Sequence, residues 1–140
     1  MSRILVVDDH EDVRLLLRYE LAPEGHDVVE AANGEEALTA IEQHEIDLVL
    51  LDIMMPVLDG WGVLERLDPA TAPPVVVITA LASDGDRHIA ELLERGALDV
   101  IAKPFQPDWL LRLVDAVLLV DADERDEYRR RRLSHARRDD

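Results

Sequence analysis

The sequence contains no cysteine, which excludes disulfide bonds, thiol redox chemistry and thiolate zinc sites. It also lacks a basic excess, because 31 acidic residues outnumber 15 basic ones and give a formal net charge of −16. No apolar run approaches the roughly 20 residues of a membrane span, and no signal segment follows Met1. We therefore expect a soluble, cytoplasmic protein with no membrane contact and with basic or acid-tolerant partners.

Short apolar runs alternate with longer amphipathic stretches along the chain. The runs cover residues 4–7, 27–31, 46–51, 75–78 and 98–102, and residues at helical spacing follow each of them. This alternation predicts one α/β domain whose right-handed crossovers build a three-layer, doubly wound, five-stranded parallel sheet. Ser83 or Asp84 is the expected cap of the fourth helix, and Pro107 is the expected first residue of the fifth.

The third run ends abruptly on Asp52, and a proline follows soon after. Apolar runs without polar alternation are typical of parallel strands covered on both faces, and such sheets place their sites at the carboxyl ends of the strands. The first strand ends in Asp8 and Asp9, the fourth in Thr79 and the fifth in Lys103. In a flavodoxin-like strand order these ends face one crevice, so Asp52 is the first candidate for chemistry.

Each acidic residue also has a simpler interpretation. Asp8 or Asp9 could cap the first helix, and Asp52 could cap a turn. His10 could be a metal ligand or a pH-sensitive neighbour, although an exposed residue at a helix start fits it better. Three carboxylates at adjacent strand ends nevertheless favour a cation-binding site. They would raise one another's pKa values unless a cation such as Mg²⁺ lay among them.

Lys103 is the only lysine, since the other 14 of the 15 basic residues are arginine. A compact ammonium on a flexible stem can reach a phosphoryl oxygen where a planar guanidinium would not fit. The alternative is that a single lysine reflects composition alone.

Residues 2–120 resemble the receiver domains of two-component response regulators, the flavodoxin-like family that includes the chemotaxis regulators. The motifs that carry this resemblance occur in order and at the predicted strand ends: Val6-Val7-Asp8-Asp9, Asp52-Ile53-Met54-Met55-Pro56, Asp59-Gly60, Thr79-Ala80, Gly96-Ala97 and Lys103-Pro104-Phe105. The resemblance implies the strand order 2-1-3-4-5.

The resemblance also implies a magnesium site. Asp9 and Asp52 would bind Mg²⁺ directly, together with the backbone carbonyl of Met54, and Asp8 would act largely through water.

The implied function is a phosphorylation-dependent signalling switch, not an enzyme in the usual sense. Asp52 would accept a phosphoryl group from a sensor histidine kinase or a phosphotransfer protein, and Thr79 and Lys103 would contact the phosphoryl oxygens. The face formed by the fourth helix, fifth strand and fifth helix would then change and control partner binding, and it could also form a homodimer.

Three positions depart from the family pattern. Val100 stands where an aromatic residue usually reports the phosphorylated state, so we expect weaker or differently routed coupling to the output face. Met54 and Leu81 are apolar where relatives often carry polar groups that orient the hydrolytic water. We therefore expect slow self-dephosphorylation.

Residues 121–140 contain seven acidic residues and seven arginines. Three acid-before-arginine pairs lie four residues apart, at 121/125, 126/130 and 127/131, and they favour an outward extension of the last helix, with a disordered tail as the alternative. We place the domain at residues 1–120 and expect no output domain in the remainder. The arginines at 129–132 could touch nucleic acid, but without a helix-turn-helix or an aromatic platform we expect no direct binding.

Two other functions use similar residues. Haloacid-dehalogenase-like phosphohydrolases also form an aspartyl phosphate with magnesium, but they prefer two acids two residues apart on the first strand and carry a substrate cap. A degenerate receiver that acts only as a scaffold is the second alternative, and the presence of Asp52, Thr79 and Lys103 speaks against it.

Overall fold

A computed structural model describes residues 2–68, 71–80 and 85–138. Its five strands form one parallel sheet in the order β2-β1-β3-β4-β5, which confirms the predicted fold. The strands are β1 Arg3–Val7, β2 Asp27–Ala31, β3 Leu48–Asp52, β4 Val75–Thr79 and β5 Asp99–Ala102. The helices are α1 Glu11–Leu21, α2 Gly34–Gln43, α3 Gly60–Arg66, α4 Gly85–Glu94, α5 Pro107–Leu118 and α6 Arg125–Arg138. Within the described ranges, no helix combines the length and apolar character needed to cross a membrane.

Helices cover both faces of the sheet, so the central strands are buried throughout. Every residue of β3 and of β4 is buried. Because side chains alternate between faces along a strand, Leu5 and Val49 pack with α2, α3 and α4, whereas Ile4 and Leu48 pack with α1 and α5. This two-sided burial explains why β1, β3 and β4 are uninterrupted apolar runs with polar residues only at their ends.

The predicted strand ends differ slightly from the observed ones. Asp52 and Thr79 are the last residues of β3 and β4, as predicted, and each is paired with a neighbouring strand. Asp8 and Lys103, predicted to end the first and fifth strands, lie one residue beyond β1 and β5. The expected cap at Ser83 or Asp84 lies outside the described residues, and α4 is described from Gly85. Pro107 begins α5 as predicted.

The chain after α5 turns back onto the domain, whereas the charge pairs predicted an outward extension of that helix. α5 ends at Leu118, a short 3₁₀ turn covers Ala122–Glu124, and α6 follows as a separate helix packed along α4. Of the three expected ion pairs, only Glu127–Arg131 is present, at 2.7 Å. Arg125 instead donates to the Ala72 carbonyl at 3.0 Å. The domain boundary at residue 120 stays a prediction.

Candidate functional site

The carboxyl ends of β1, β3, β4 and β5 bring the predicted polar residues into one crevice. Lys103, just after β5, places its Nζ 2.9 Å from Asp8 Oδ2 and 3.8 Å from Asp52 Oδ2. The Thr79 carbonyl accepts a hydrogen bond from the Lys103 backbone N–H at 2.8 Å, which ties the end of β4 to the end of β5. The sheet order therefore positions a buried carboxylate, a hydroxyl-bearing residue and an ammonium at one edge.

Four potential metal ligands meet at this edge. Ligand atoms of Asp8, Asp9, His10 and Asp52 all lie within 4.8 Å of one another. His10 Nδ1 lies 3.2 Å from Asp8 Oδ1 and 3.1 Å from Asp9 Oδ1, although most of the ring is exposed. The sequence favoured an exposed helix-start role for His10, and the structure adds contact with both carboxylates.

Asp52 is a buried carboxyl group whose pKa is raised. Only 7% of its side chain is exposed. Burial raises the pKa of the Asp52 carboxyl and the Asp8 carboxylate raises it further, whereas the Lys103 ammonium and the Met54 N–H oppose the rise. Burial is the largest of these causes, and a cation placed among the carboxylates would favour the ionised form of Asp52.

Backbone contacts hold Asp8 in place. Its Oδ1 accepts from the His10 N–H at 2.9 Å, and its carbonyl accepts from Arg14 Nη1 at 2.7 Å. Arg14 Nε also donates to Glu30 on β2, at 3.1 Å. Sequence analysis could not select Arg14, because Glu30 lies 16 residues away and meets it only after β1 pairs with β2.

The loop after β3 is fixed close to Asp52. The Met54 N–H donates to Asp52 Oδ1 at 3.3 Å, and the Gly60 N–H donates to the Ile53 carbonyl at 2.9 Å. Asp59 caps α3, with Oδ1 accepting from the Gly62 N–H at 2.9 Å. The Met54 side chain is exposed beside the crevice. Its carbonyl as a metal ligand stays a prediction, and Leu81 lies outside the described residues.

Val100 is part of the packed interior. It is 4% exposed, pairs with Val77 in the sheet and belongs to the core layer beneath α3 and α4. Valine has no ring that could rotate, and its burial here makes Val100 a packing residue of the sheet.

A flavodoxin-like sheet with an acidic cluster and a lysine at its carboxyl edge defines the receiver class of signalling domains. Residues 4–115 match the model of the response regulator receiver domain, and the chain therefore belongs to that family. It is a signalling domain of two-component systems, not a conventional enzyme.

Several curated proteins are similar in sequence to this chain. The probable transcriptional regulator ycf27 of Porphyridium aerugineum is 43% identical over 117 residues, which cover 84% of this chain and 48% of that protein. The alkaline phosphatase synthesis transcriptional regulatory protein PhoP of Bacillus subtilis is 41% identical over 118 residues, or 84% of this chain and 48% of PhoP. The chain thus spans about half the length of these curated relatives.

Solved structures have the same fold over nearly their whole length. The receiver domain of the Francisella response regulator 1452 gives a TM-score of 0.78 at 31% identity and covers 84% of this chain and 97% of that one. A two-component response regulator from Clostridium difficile gives 0.78 at 30% identity, covering 84% of this chain and 96% of that one.

Proposed function

We propose that Asp52 is the phosphoacceptor of a magnesium-dependent signalling switch. The observation that carries this proposal is the position of the Asp52 carboxylate, which is buried at the end of β3 among Asp8, Asp9 and Lys103. Burial and the neighbouring Asp8 carboxylate raise the pKa of Asp52 despite the nearby Lys103 ammonium, which supports the proposal that a cation binds here.

The donor set fits a hard divalent cation. The carboxylate oxygens of Asp8, Asp9 and Asp52 lie close enough to share one ion, and Mg²⁺ prefers a few such oxygens while keeping several waters. Asp9, Asp52 and the Met54 carbonyl would hold it, with Asp8 contributing largely through water. When bound, the ion supplies positive charge that neutralises phosphoryl oxygens.

The phosphoryl transfer itself is an exchange of one bond for another at phosphorus. An Asp52 carboxylate oxygen attacks, the bond from phosphorus to the imidazole nitrogen of the donor phosphohistidine breaks, and the imidazole leaves and takes up a proton from water. Lys103 stands 3.8 Å from Asp52 and is held by Asp8. A small movement of its flexible stem would bring the ammonium onto the incoming phosphoryl oxygens. The Thr79 hydroxyl would donate to another of them.

The donor partner is a sensor histidine kinase or a phosphotransfer protein, and α1 offers it a surface. α1 begins at Glu11, immediately after the acidic cluster. Leu15, Leu16 and Tyr19 are exposed on this helix and form an apolar patch. An apolar patch beside a charged crevice is a suitable contact for a protein that must bring its phosphohistidine to Asp52.

The output of the switch is a change in the α4-β5-α5 face, because Lys103 directly follows β5 and Thr79 ends the neighbouring strand. The partner on this face is a protein of unassigned identity. The absence of direct nucleic-acid contact stays a prediction, since the relatives named above are transcriptional regulators of about twice the length.

The test is incubation with acetyl phosphate and Mg²⁺, followed by intact mass spectrometry. We expect the parent chain to gain one phosphoryl group stably, and Asp52→Asn to gain none. Asp115→Asn, an exposed change on α5, is the matched control and should behave as the parent. Continuous release of phosphate would indicate a phosphohydrolase, and an unchanged mass in the parent would indicate a scaffold. Either result would overturn the proposal.

A further inference from the structure

A cavity of about 310 Å³ lies at the end of the sheet opposite to Asp52. Pro74 and Leu98, the residues just before β4 and β5, line it, whereas Asp52 is the last residue of β3. The length of β4, about 13 Å at roughly 3.3 Å per residue, separates the two ends of the sheet. None of the described residues that line the cavity belongs to the proposed magnesium site, so this is a separate place in the fold.

Helix α6 forms one wall of this cavity with its first turn, and a buried carboxylate holds the helix there. The Asp99 side chain, at the start of β5, is only 4% exposed. It accepts from Tyr128 Oη at 2.5 Å and from Arg132 Nε at 2.6 Å. Burial and the hydrogen bond to Asp99 raise the pKa of Tyr128, so the phenol keeps its proton and remains a donor. The wall is therefore anchored by charge-assisted hydrogen bonds.

The cavity is positively charged, although the chain as a whole has a net charge of −16. Arg95, Arg125 and Arg129 line it together with one acid, Asp126. Asp126 lies 3.1 Å from Arg129, and its side chain is 85% exposed. Arg129 also donates to the two carbonyls at 96–97, at 3.1 and 3.2 Å, so each of its three side-chain nitrogens has an acceptor. Arg95 and Arg125 are thus the two arginines of the cavity that are left to attract an anion.

Both of these guanidinium groups retain donors for a ligand. Arg125 Nη1 donates to the Ala72 carbonyl at 3.0 Å, whereas its Nε–H is buried and meets no acceptor in the described parts of the chain. A buried N–H without an acceptor is unfavourable, and an anion supplies acceptors. Arg95 lies over the Trp61 ring at 5.2 Å, and its ion pair with Glu91 is exposed and long, at 3.5 Å. Such a pair neutralises the arginine only weakly.

Apolar side chains form much of the remaining wall, among them Leu64, Leu67, Pro74 and Leu98. We propose that this cavity binds a small organic anion, whose phosphate or carboxylate group contacts Arg95 and Arg125 and whose apolar body lies against these side chains. Guanidinium groups match the oxygens of phosphate and carboxylate. A concave site with apolar walls and a few placed charges is typical of small-ligand sites. The inference does not rest on the proposed function.

Titration of the full chain, followed by two-dimensional amide NMR in magnesium-free buffer at constant ionic strength, tests the proposal. Phenyl phosphate combines a phosphate with an apolar ring, and phenylacetate carries a carboxylate instead. We expect at least one of them to bind saturably and to shift the amides of residues 72, 75, 95–98 and 122–129, without shifts at residues 8, 9 and 52. Inorganic phosphate lacks the ring and benzyl alcohol lacks the charge, so each should bind more weakly by about tenfold or more.

Two arginines of α6 provide a matched pair of variants. Arg125→Gln removes a charge from the cavity wall, whereas Arg131→Gln removes only an exposed ion pair with Glu127. We expect binding about tenfold weaker than in the parent for Arg125→Gln and unchanged for Arg131→Gln. If α6 amides lose protection from hydrogen exchange in Arg125→Gln, Arg95→Gln decides instead. Arg95 is 53% exposed and its ion pair and ring contact lie outside α6, so we expect this variant to keep the fold and to bind about tenfold more weakly.

Four results would each overturn the proposal. They are the absence of saturable binding by both organic anions, shifts centred on Asp52, equal affinity for inorganic phosphate or benzyl alcohol, and unchanged affinity in the deciding variant. None of these measurements involves phosphorylation, so their failure would leave the assignment of Asp52 intact.

Discussion

The substitution Gly60→Ala tests how closely the loop after β3 must pack against the phosphoacceptor strand. A Cβ at Gly60 would lie 2.7 Å from the Asp52 carbonyl oxygen and 2.6 Å from Ile53 Cδ1. Such approaches lie below any ordinary contact, and the carbonyl is backbone that cannot rotate away. Gly60 has no positive φ, so the cost of alanine is steric and not conformational.

The magnitude follows from two opposing effects. Forcing a methyl group into a packed site typically costs about 1–3 kcal/mol. Alanine recovers at most about 1 kcal/mol of helix propensity at the start of α3. We therefore expect Gly60→Ala to lower the free energy of unfolding by about 1–2 kcal/mol. Because the Asp52 backbone must shift, phosphorylation by acetyl phosphate should slow by about tenfold or more.

Gly62→Ala is the control on the same helix. Its Cβ would meet the end of the Leu58 side chain, which can rotate, and we expect a stability change within about 0.5 kcal/mol. Urea unfolding gives the stabilities, and the rate of mass gain with acetyl phosphate and Mg²⁺ gives the reactivity. Equal stability and equal reactivity in the two variants would refute this account of the loop.

Three further predictions concern the site. Because the pKa of Asp52 is raised in the folded chain, ionisation of this group opposes folding. The contribution of Asp52 to the free energy of unfolding is therefore greatest below pH 3.8, the ordinary pKa of the group, and it falls as the pH rises through the folded pKa. In metal-free buffer Asp52→Asn should thus be more stable than the parent at pH 7. Urea unfolding at pH 7 and at pH 3.8 gives the difference in unfolding free energy between the two chains, which should shrink towards pH 3.8. A difference that stays constant would contradict this. Met54→Asn combined with Leu81→Glu should shorten the lifetime of the phosphorylated chain, which intact mass spectrometry follows. An unchanged lifetime would show that apolar residues at these two positions do not protect the acyl phosphate. Val100→Tyr should lower the free energy of unfolding by about 1–3 kcal/mol, since it enlarges a buried side chain. It should also strengthen the effect of phosphorylation on partner affinity, which is measured by titration. If phosphorylation changes the affinity equally in the two chains, this position has no such role.

The sequence predicted the sheet well because the relevant signals are local. The central strands β3 and β4 are apolar up to their last residue, and the run that ends at Leu51 and is followed by Asp52 shows both burial and the end of the strand without any knowledge of its neighbours. The meeting of Asp8, Asp52 and Lys103 followed from strand order, which came from the resemblance and which the structure confirms.

Interactions between distant residues were not predictable in the same way. The charge pairs at four-residue spacing correctly indicated helix in the tail, but they could not show that Arg132 and Tyr128 would find Asp99, which is 33 and 29 residues away. A buried acceptor outweighs an exposed ion pair, because the exposed pair contributes at most about 1 kcal/mol. Likewise, nothing in the sequence indicated that Lys103 would lie nearer to Asp8 than to Asp52.

The anchoring of α6 at Asp99 has a consequence for engineering. A chimera that joined a foreign effector at residue 120 would remove Tyr128 and Arg132 and expose Asp99 beside the carbonyls of Gly96 and Ala97. The result would be an acceptor-lined notch that an arginine-rich segment of the fused protein could enter. A junction placed after residue 138 keeps the native helix in that notch. The choice of junction therefore decides whether the receiver part of the chimera has its acceptors paired with α6 or exposes them to other segments.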